Sequence, residues 1–111
     1  MIQASFRVVA PEGKCRELLG VMLCLRGPAE ASSGCRGCQV LQDAEDARVL
    51  TYQSQWDTQE DLEEHLRSER FRRLLPYIEI SEEPPEVAFS TIDRVRGMEF
   101  LISVLVPNVS S

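Results

Sequence analysis

The spacing of apolar residues changes along this chain, and the order of those changes restricts the fold more than any single motif does. Residues 2–9 alternate between apolar and polar side chains, which is the period of a half-buried strand. Residues 15–25 instead carry apolar side chains at helical spacing, in one stripe that suits packing on a sheet. Pro11 is expected in the first turn of this helix, and Gly27-Pro28 is expected to end it.

The middle of the chain predicts a hairpin followed by helices. The short apolar segment CQVLQD and the β-branched and aromatic segment RVLTYQSQW are separated by the polar turn AEDA, which is typical of a hairpin. Thr58, with Asp61 three residues later, predicts a helix cap, and Ser68 predicts a second one. Pro76 is expected to kink or end the helix that follows Ser68.

Two further strands are predicted near the C-terminus. Residues 87–95 alternate again, and Gly97 then interrupts the pattern as a bulge or sharp bend would. Residues 98–106 are almost continuously apolar, which is typical of a strand covered on both faces. The chain has little left to cover such a strand, so we expect it at an interface with a second copy of the chain.

The resulting order is β-α-β-β-α-β with an additional C-terminal strand. It predicts an α+β fold of the ferredoxin-like, split βαβ type, with an antiparallel sheet and helices on one face. A chain of 111 residues is expected to form one domain, residues 1–111, with a core that spans about residues 2–95.

Composition excludes several classes of partner. The net charge is −6 and the chain has one lysine, which argues against binding to nucleic acid. No apolar run reaches the roughly 18 residues that a membrane span needs. The N-terminal segment lacks the basic and apolar regions of a signal peptide, so we expect a cytoplasmic protein with reduced thiols.

The most conspicuous motif is the C-x-x-C pair of Cys35 and Cys38. A structural zinc site needs four ligands, and Cys15 and Cys24 do not form a second pair of this spacing. A thioredoxin-like motif begins a helix, whereas this pair enters a predicted strand. The pattern favours buried thiols that pack as small hydrophobic groups, and it leaves a reversible disulfide as the alternative.

His65 is the only histidine and the only side chain expected to titrate near neutral pH without a perturbed pKa. It shares the predicted inward face of its helix with Leu62 and Leu66. It is therefore either a hydrogen-bonded core residue or a functional group in a pocket. A single histidine also argues against a transition-metal site, because such sites recruit several ligands.

Trp56 ends a predicted strand directly before the Thr58 cap, and Tyr52 shares its strand face. Together with His65 these residues line a pocket between sheet and helices or pack tightly without one, and the pattern leaves both open. The arginines of ERFRR, residues 69–73, are most simply the solvated face of a short helix.

The spacing W-x8-H-x2-S-x2-F, from Trp56 through His65 and Ser68 to Phe71, carries a specific resemblance. With the preceding GC strand and the order of elements, it closely resembles the antibiotic biosynthesis monooxygenase domain family, which includes quinol monooxygenases. The resemblance covers about residues 2–95. It implies a dimeric α/β barrel with a pocket between sheet and helices in each subunit. It also implies oxidation of electron-rich aromatics by dioxygen, with no metal, flavin or other cofactor.

The resemblance implies that His65 is the general base, which favours the substrate anion, and that Trp56, Tyr52, Phe6 and Phe71 form the pocket wall. The expected function is therefore a cofactor-independent monooxygenase that acts on a quinol-like or polyphenolic aromatic. The alternatives are a non-catalytic dimeric small-molecule binding module of the same fold and a thiol redox protein that uses Cys35 and Cys38.

This chain also departs from its relatives. Tyr52 and Leu62 stand where anthrone-oxidising relatives carry Asn and Tyr, which puts the mechanism of those relatives in doubt here. Residues 72–75 lack the haem-ligating histidine of haem-degrading relatives, which argues against haem as a substrate.

Overall fold

A four-stranded antiparallel sheet with helices on one face forms the body of the computed structural model, which describes residues 1–106. This confirms the predicted α+β, ferredoxin-like fold. The strands follow the spatial order β2-β3-β1-β4. They are β1 (Ile2–Val9), β2 (Cys35–Gln42), β3 (Val49–Trp56) and β4 (Glu86–Thr91).

Five helices complete the part of the chain that the structure describes. They are α1 (Cys15–Glu30), α2 (Gln59–Arg67), α3 (Glu69–Arg72), α4 (Leu75–Glu79) and α5 (Met98–Leu105). None of these helices has both the length and the apolar character that crossing a bilayer requires.

Helix α1 differs from its prediction at both ends. It begins at Cys15 rather than at Pro11, because Gly13 turns the chain first with a φ of 83°. It also continues through Pro28 to Glu30. Proline lacks only the N–H that would pair with the carbonyl four residues earlier, and the carbonyls of the last turn, which have no intrahelical donor in any helix, find other partners. The Pro28 carbonyl accepts a hydrogen bond from the Ser32 hydroxyl at 2.9 Å.

Both predicted helix caps are confirmed. The Thr58 hydroxyl accepts a hydrogen bond from the Asp61 amide at 3.1 Å, and the Ser68 hydroxyl accepts one from the Phe71 amide at 3.2 Å. The helix predicted after Ser68 ends at Arg72. Pro76 lies in the first turn of a separate helix, α4, where its missing N–H leaves no hydrogen bond unmade.

The C-terminal strand predicted over residues 98–106 is wrong, because this segment forms helix α5. Gly97 caps that helix instead of forming a bulge, and β4 ends at Thr91 rather than at residue 95. A continuous apolar run does not distinguish a strand from a buried helix. In the described part of the chain no strand pairs with this segment, and only the helical conformation pairs its backbone groups within the segment itself.

The core lies between the sheet and the helices α1, α2 and α3. Alternate residues of β1 and β3 point into it, and the inner face of α1 covers them. Its members extend from Ala4 to Leu74, within the core predicted over residues 2–95. The most completely buried large side chains are Trp56, Tyr52, Leu18, Met22, Leu50 and Leu74.

Candidate functional site

His65 lies on the inner face of α2, two turns after the Thr58 cap. Because the cap fixes where the helix starts, it also fixes which side chains turn to the sheet. Leu62 and His65 are buried, and Leu66 is half-buried, as the sequence predicts. His65 is 8% exposed, so only a small part of it reaches the protein surface.

Three aromatic side chains hold the His65 ring. The Trp56 ring stacks on it with a centroid distance of 4.8 Å and an interplanar angle of 30°. The Phe71 ring packs edge-on against it, with a centroid distance of 5.5 Å. The Tyr52 hydroxyl lies 3.1 Å from His65 Nε2, in hydrogen-bonding contact. The ring is therefore fixed in position, and Nδ1 is the nitrogen that this bond leaves available.

Trp56 is held in turn by Ser54, a residue that sequence reasoning missed. The indole Nε1 donates a hydrogen bond to the Ser54 hydroxyl at 2.9 Å, and both side chains are fully buried. The sequence does indicate this residue, because Ser54 is a polar residue on the apolar face of β3, two positions before Trp56. A buried indole N–H needs an acceptor, and Ser54 supplies it.

Burial controls the charge state of the site. It lowers the pKa of His65 below its ordinary value of 6.5, so the imidazole is neutral at pH 7. Burial also raises the pKa of Tyr52, and hydrogen bonding with the Cys38 thiol raises it further, so the phenol stays protonated. The site therefore presents an uncharged histidine beside an uncharged tyrosine.

The other two predicted wall residues join the same cluster. The Phe6 ring lies 5.1 Å from that of Phe71 and 6.5 Å from that of Tyr52, centroid to centroid. The structure thus brings all five predicted site residues together. Phe6, Tyr52 and Phe71 fill the interior, however, and of the five only Trp56 and His65 border a ligand-sized space.

That space is an open groove of about 470 Å³ between α1 and the α2–α3 segment. Its apolar lining comes from Trp56 and from the C-terminal end of α1, and its polar rim from α2, α3 and the loop before β2. A groove of this size, with a few polar groups that converge on it, suits a small-molecule ligand. Besides Trp56 and His65, it is lined by Leu25, Pro28, Ala29, Ser32, Ser33, Asp61, Glu64, Ser68, Glu69 and Arg70.

The C-x-x-C pair lies at the entrance of β2, as predicted. Cys38 is buried in the core and Cys35 is half-buried, and a β-bulge separates them. Both thiols are free, and burial raises the pKa of each. A raised thiol pKa disfavours the reactive thiolate. Within residues 1–106, no three His, Cys, Asp or Glu side chains are grouped so as to hold a metal ion.

The family model for antibiotic biosynthesis monooxygenases matches residues 1–76, from β1 to the first turn of α4. The chain belongs to the antibiotic biosynthesis monooxygenase family. The matched region contains the whole aromatic cluster and every residue of the groove. The resemblance found in the Trp56–Phe71 motif is thereby confirmed. No curated protein sequence matches the chain.

Several solved structures share the fold. PA3566 from Pseudomonas aeruginosa is 23% identical, with a TM-score of 0.70 over 86% of this chain and 94% of that one. Rv0793 from Mycobacterium tuberculosis is 18% identical, with a TM-score of 0.74 over 86% of this chain and 98% of that one. A protein described as an antibiotic biosynthesis monooxygenase is 18% identical, with a TM-score of 0.73 over 86% of this chain and 100% of that one. At these identities the likeness extends to the fold alone.

Proposed function

We propose that this protein is a cofactor-independent monooxygenase that oxidises a quinol-like or polyphenolic aromatic with dioxygen. The observation that carries the proposal is the position of His65, a neutral imidazole fixed by Trp56 and Tyr52 at the edge of a ligand-sized groove. Membership in the antibiotic biosynthesis monooxygenase family supports the reaction class.

His65 is the proposed general base. Removal of a phenolic proton converts the quinol into an electron-rich anion, which can itself reduce dioxygen. In this role Nδ1 accepts the proton from the groove, while Nε2 carries the hydrogen that is donated to the Tyr52 oxygen. The substrate loses four electrons, one oxygen atom enters the product as a new hydroxyl or carbonyl, and the other leaves as water.

The end of α1 is the proposed ring-binding surface, and the fully buried Trp56 ring lies directly behind it. Pro28 is half-exposed there, next to the buried Leu25, Ala29 and Trp56, so a flat aromatic can contact this apolar end of α1 while its hydroxyls face His65. Phe6, Tyr52 and Phe71 are proposed to act behind this surface, by holding the His65 and Trp56 rings. Apolar walls also keep water from competing with the substrate for the base.

Oxygen uptake with a panel of reduced naphthoquinones and anthrones tests the proposal. We expect uptake above the non-enzymatic rate for at least one compound, and a drop of roughly 100-fold or more in His65→Ala, the usual size of a general-base contribution. His65→Gln keeps a group that can bond to Tyr52 but is no base, so it should be equally slow. Glu60→Gln, an exposed change on the same helix, is the matched control. Uptake at the background rate for every compound would contradict the proposal.

A second candidate is a non-catalytic binding module of the same fold. The observation in its favour is that His65 already has a hydrogen-bond partner and that Phe6, Tyr52 and Phe71 fill the interior. This candidate predicts that aromatic ligands change the fluorescence of Trp56, the only tryptophan, without any oxygen uptake.

We also propose that the chain acts as a homodimer. The radius of gyration is 17.0 Å, against about 13 Å expected for a compact domain of this length, which fits a C-terminal segment that extends from the body. Helix α5 exposes Phe100, Leu101 and Ile102 to water by roughly half. A second copy that covers this helix would remove the exposure. Sedimentation should then give twice the chain mass, and a chain truncated after Gly97 should shift toward monomer.

A cytoplasmic location completes the proposal. The four cysteines lie within the described residues and all are free, the state that cytoplasmic reductants maintain. A free-thiol titration of protein purified from cytoplasm should give four thiols per chain under denaturing conditions.

A further inference from the structure

The groove beside His65 continues into a second cavity along α1. This cavity has a volume of about 510 Å³ and shares Leu25, Pro28 and Arg70 with the groove. Its remaining lining comes from the outward face of α1 and from Arg73, directly after α3. The two spaces together form a trough between α1 and the α2–α3 segment. The residues that line only the second cavity are Glu17, Gly20, Val21, Cys24 and Arg73.

The charge changes sign along this trough. Asp61, Glu64 and Glu69 stand at the His65 end, where Arg70 is the one basic residue of the lining. Arg70 and Arg73 stand at the other end. None of these five side chains forms an ion pair with another residue in the described part of the chain.

The acidic residue at the basic end is already neutralised. The Glu17 carboxylate lies 3.3 Å from the Lys14 ammonium and forms an ion pair with it. Its negative charge is therefore offset locally, whereas the Arg70 and Arg73 charges are not. The second cavity is the more basic part of the trough, and the groove beside His65 is the more acidic part.

The two ends of the trough therefore favour ligand groups of different charge: uncharged groups at the acidic end and anionic groups at the basic end. Charges at the rim of a cleft act over about 8 Å at physiological ionic strength, which covers the width of a groove. Carboxylates accept hydrogen bonds from neutral hydroxyl groups, but they repel a carboxylate or phosphate on the bound ring. Guanidinium groups bind such anions in a fork geometry.

We propose that the trough binds an elongated ligand in one orientation, with an uncharged hydroxylated ring beside His65 and an anionic group at Arg70 and Arg73. The identity of the ring rests on the proposed function. The ring enters uncharged and gives up its proton only to His65. The arginines of ERFRR thereby separate into Arg70 and Arg73, which line the trough, and Arg72, which does not.

Three probes test the orientation in the absence of oxygen: a naphthoquinol, the same ring with a carboxylate attached directly, and the same ring with a carboxylate at the end of a short alkyl chain. Binding is followed by the fluorescence of Trp56, the only tryptophan, which lines the groove. We expect the chain-linked acid to bind roughly 3- to 5-fold more tightly than the unsubstituted quinol, the scale of an exposed ion pair. The ring carboxylate should bind most weakly, and added salt should reduce both differences.

Charge-neutral variants assign the effect to residues. Arg73→Gln should remove the advantage of the chain-linked acid, while Arg72→Gln, at the preceding residue and the last one of α3, should leave it intact. Glu64→Gln combined with Glu69→Gln should restore binding of the ring carboxylate, while Glu60→Gln should not. An equal loss in Arg72→Gln and Arg73→Gln would overturn the site in favour of a diffuse positive field.

The outcomes separate this proposal from the function on which it rests. If all three probes bind with equal affinity, the charged trough is overturned and the monooxygenase proposal stands. If none binds, both are overturned. If the ring carboxylate binds most tightly, the orientation is the reverse of the proposed one.

Discussion

Two parts of the same sheet face differ in how far the chain itself covers them. At the β3 end, Tyr52 and Trp56 are completely buried beneath α1 and α2. At the β4 end, Val87 and Phe89 point to the same face and remain 45% and 54% exposed. Both positions belong to the same alternating pattern, since Phe6 of β1 pairs with Tyr52 on one side and Val87 on the other.

The difference shows that alternation defines a face but does not supply its cover. Helices α1 and α2 supply the cover over β1 and β3, and the resulting aromatic cluster around His65 is complete within one chain. Within residues 1–106 no helix buries β4, and the apolar side chains of α5, which follows it, are also exposed. We expect the His65 end to be stable in a monomer and the C-terminal end to depend on a second copy.

The largest expected effect comes from Trp56→Ala. Loss of this fully buried ring should lower the free energy of unfolding by about 3–5 kcal/mol, because it leaves a cavity and an unpaired Ser54 hydroxyl. Urea unfolding of dilute protein measures the change. A loss below about 1 kcal/mol, in the range of a surface substitution, would contradict a self-sufficient core at this end.

Gly34→Ala should cost roughly 2 kcal/mol or more, because backbone strain adds to a steric clash. Gly34 has a φ of 80°, and a Cβ there would lie 2.9 Å from the Cβ of Asp61 and closer still to its carboxylate. Gly20→Ala is the matched control, since Gly20 lies in α1 with nothing within 4 Å of the added Cβ. The control should stabilise slightly through its higher helix propensity. Equal melting temperatures for the two variants would rule out the tight contact between the Gly34 loop and α2.

The buried His65 should make stability depend on pH, because burial disfavours its charged form in the folded state. Burial lowers its pKa in the folded state, so the unfolded chain binds the proton more readily. The contribution is therefore fully present above the unfolded-state pKa of 6.5 and is lost as the pH falls from 6.5 toward the folded-state pKa. Unfolding at pH 7.5 and 5.5 should show a larger loss for the wild type than for His65→Gln. NMR titration of this one histidine should give a pKa below 6.5, and a value above it would contradict the neutral base.

Substitution on α5 should have the smallest effect on the fold. Leu101→Ser should change the unfolding free energy of dilute protein by less than about 0.5 kcal/mol, as expected for an exposed site. The same change should weaken the dimer, which analytical ultracentrifugation measures across a concentration series. A large loss of stability with no change in association would place α5 in the core of its own chain instead.

Much of the fold followed from local pattern, because period and capping are local properties. The alternation of β1 and the Thr58 and Ser68 caps involve residues close in sequence, and each was predicted. Residues 98–106 were not, because a continuous apolar run is compatible with either a strand or a helix. What decides between them is whether a neighbouring strand exists, which is a property of the assembled chain.

The sequence predicted the residues of the candidate site but not the position of the groove that opens it to solvent. The spacing from Trp56 to Phe71 placed His65 among aromatic rings, and the structure brings these rings together. The groove was missed because one of its walls contains Pro28 and Ala29, where the sequence predicts the end of a helix. The helix continues there, and the groove lies against its last turn rather than between Phe6 and Tyr52.

Isotopic labelling tests the central claim most directly. The protein and a reduced naphthoquinone are incubated with doubly labelled ¹⁸O₂, and the product is analysed by mass spectrometry. The proposed reaction places one labelled oxygen atom in the product and the other in water, at a rate that falls to background in His65→Ala. A product without label, with hydrogen peroxide formed instead, or a labelled product formed equally fast by His65→Ala, would contradict a monooxygenase that works through His65.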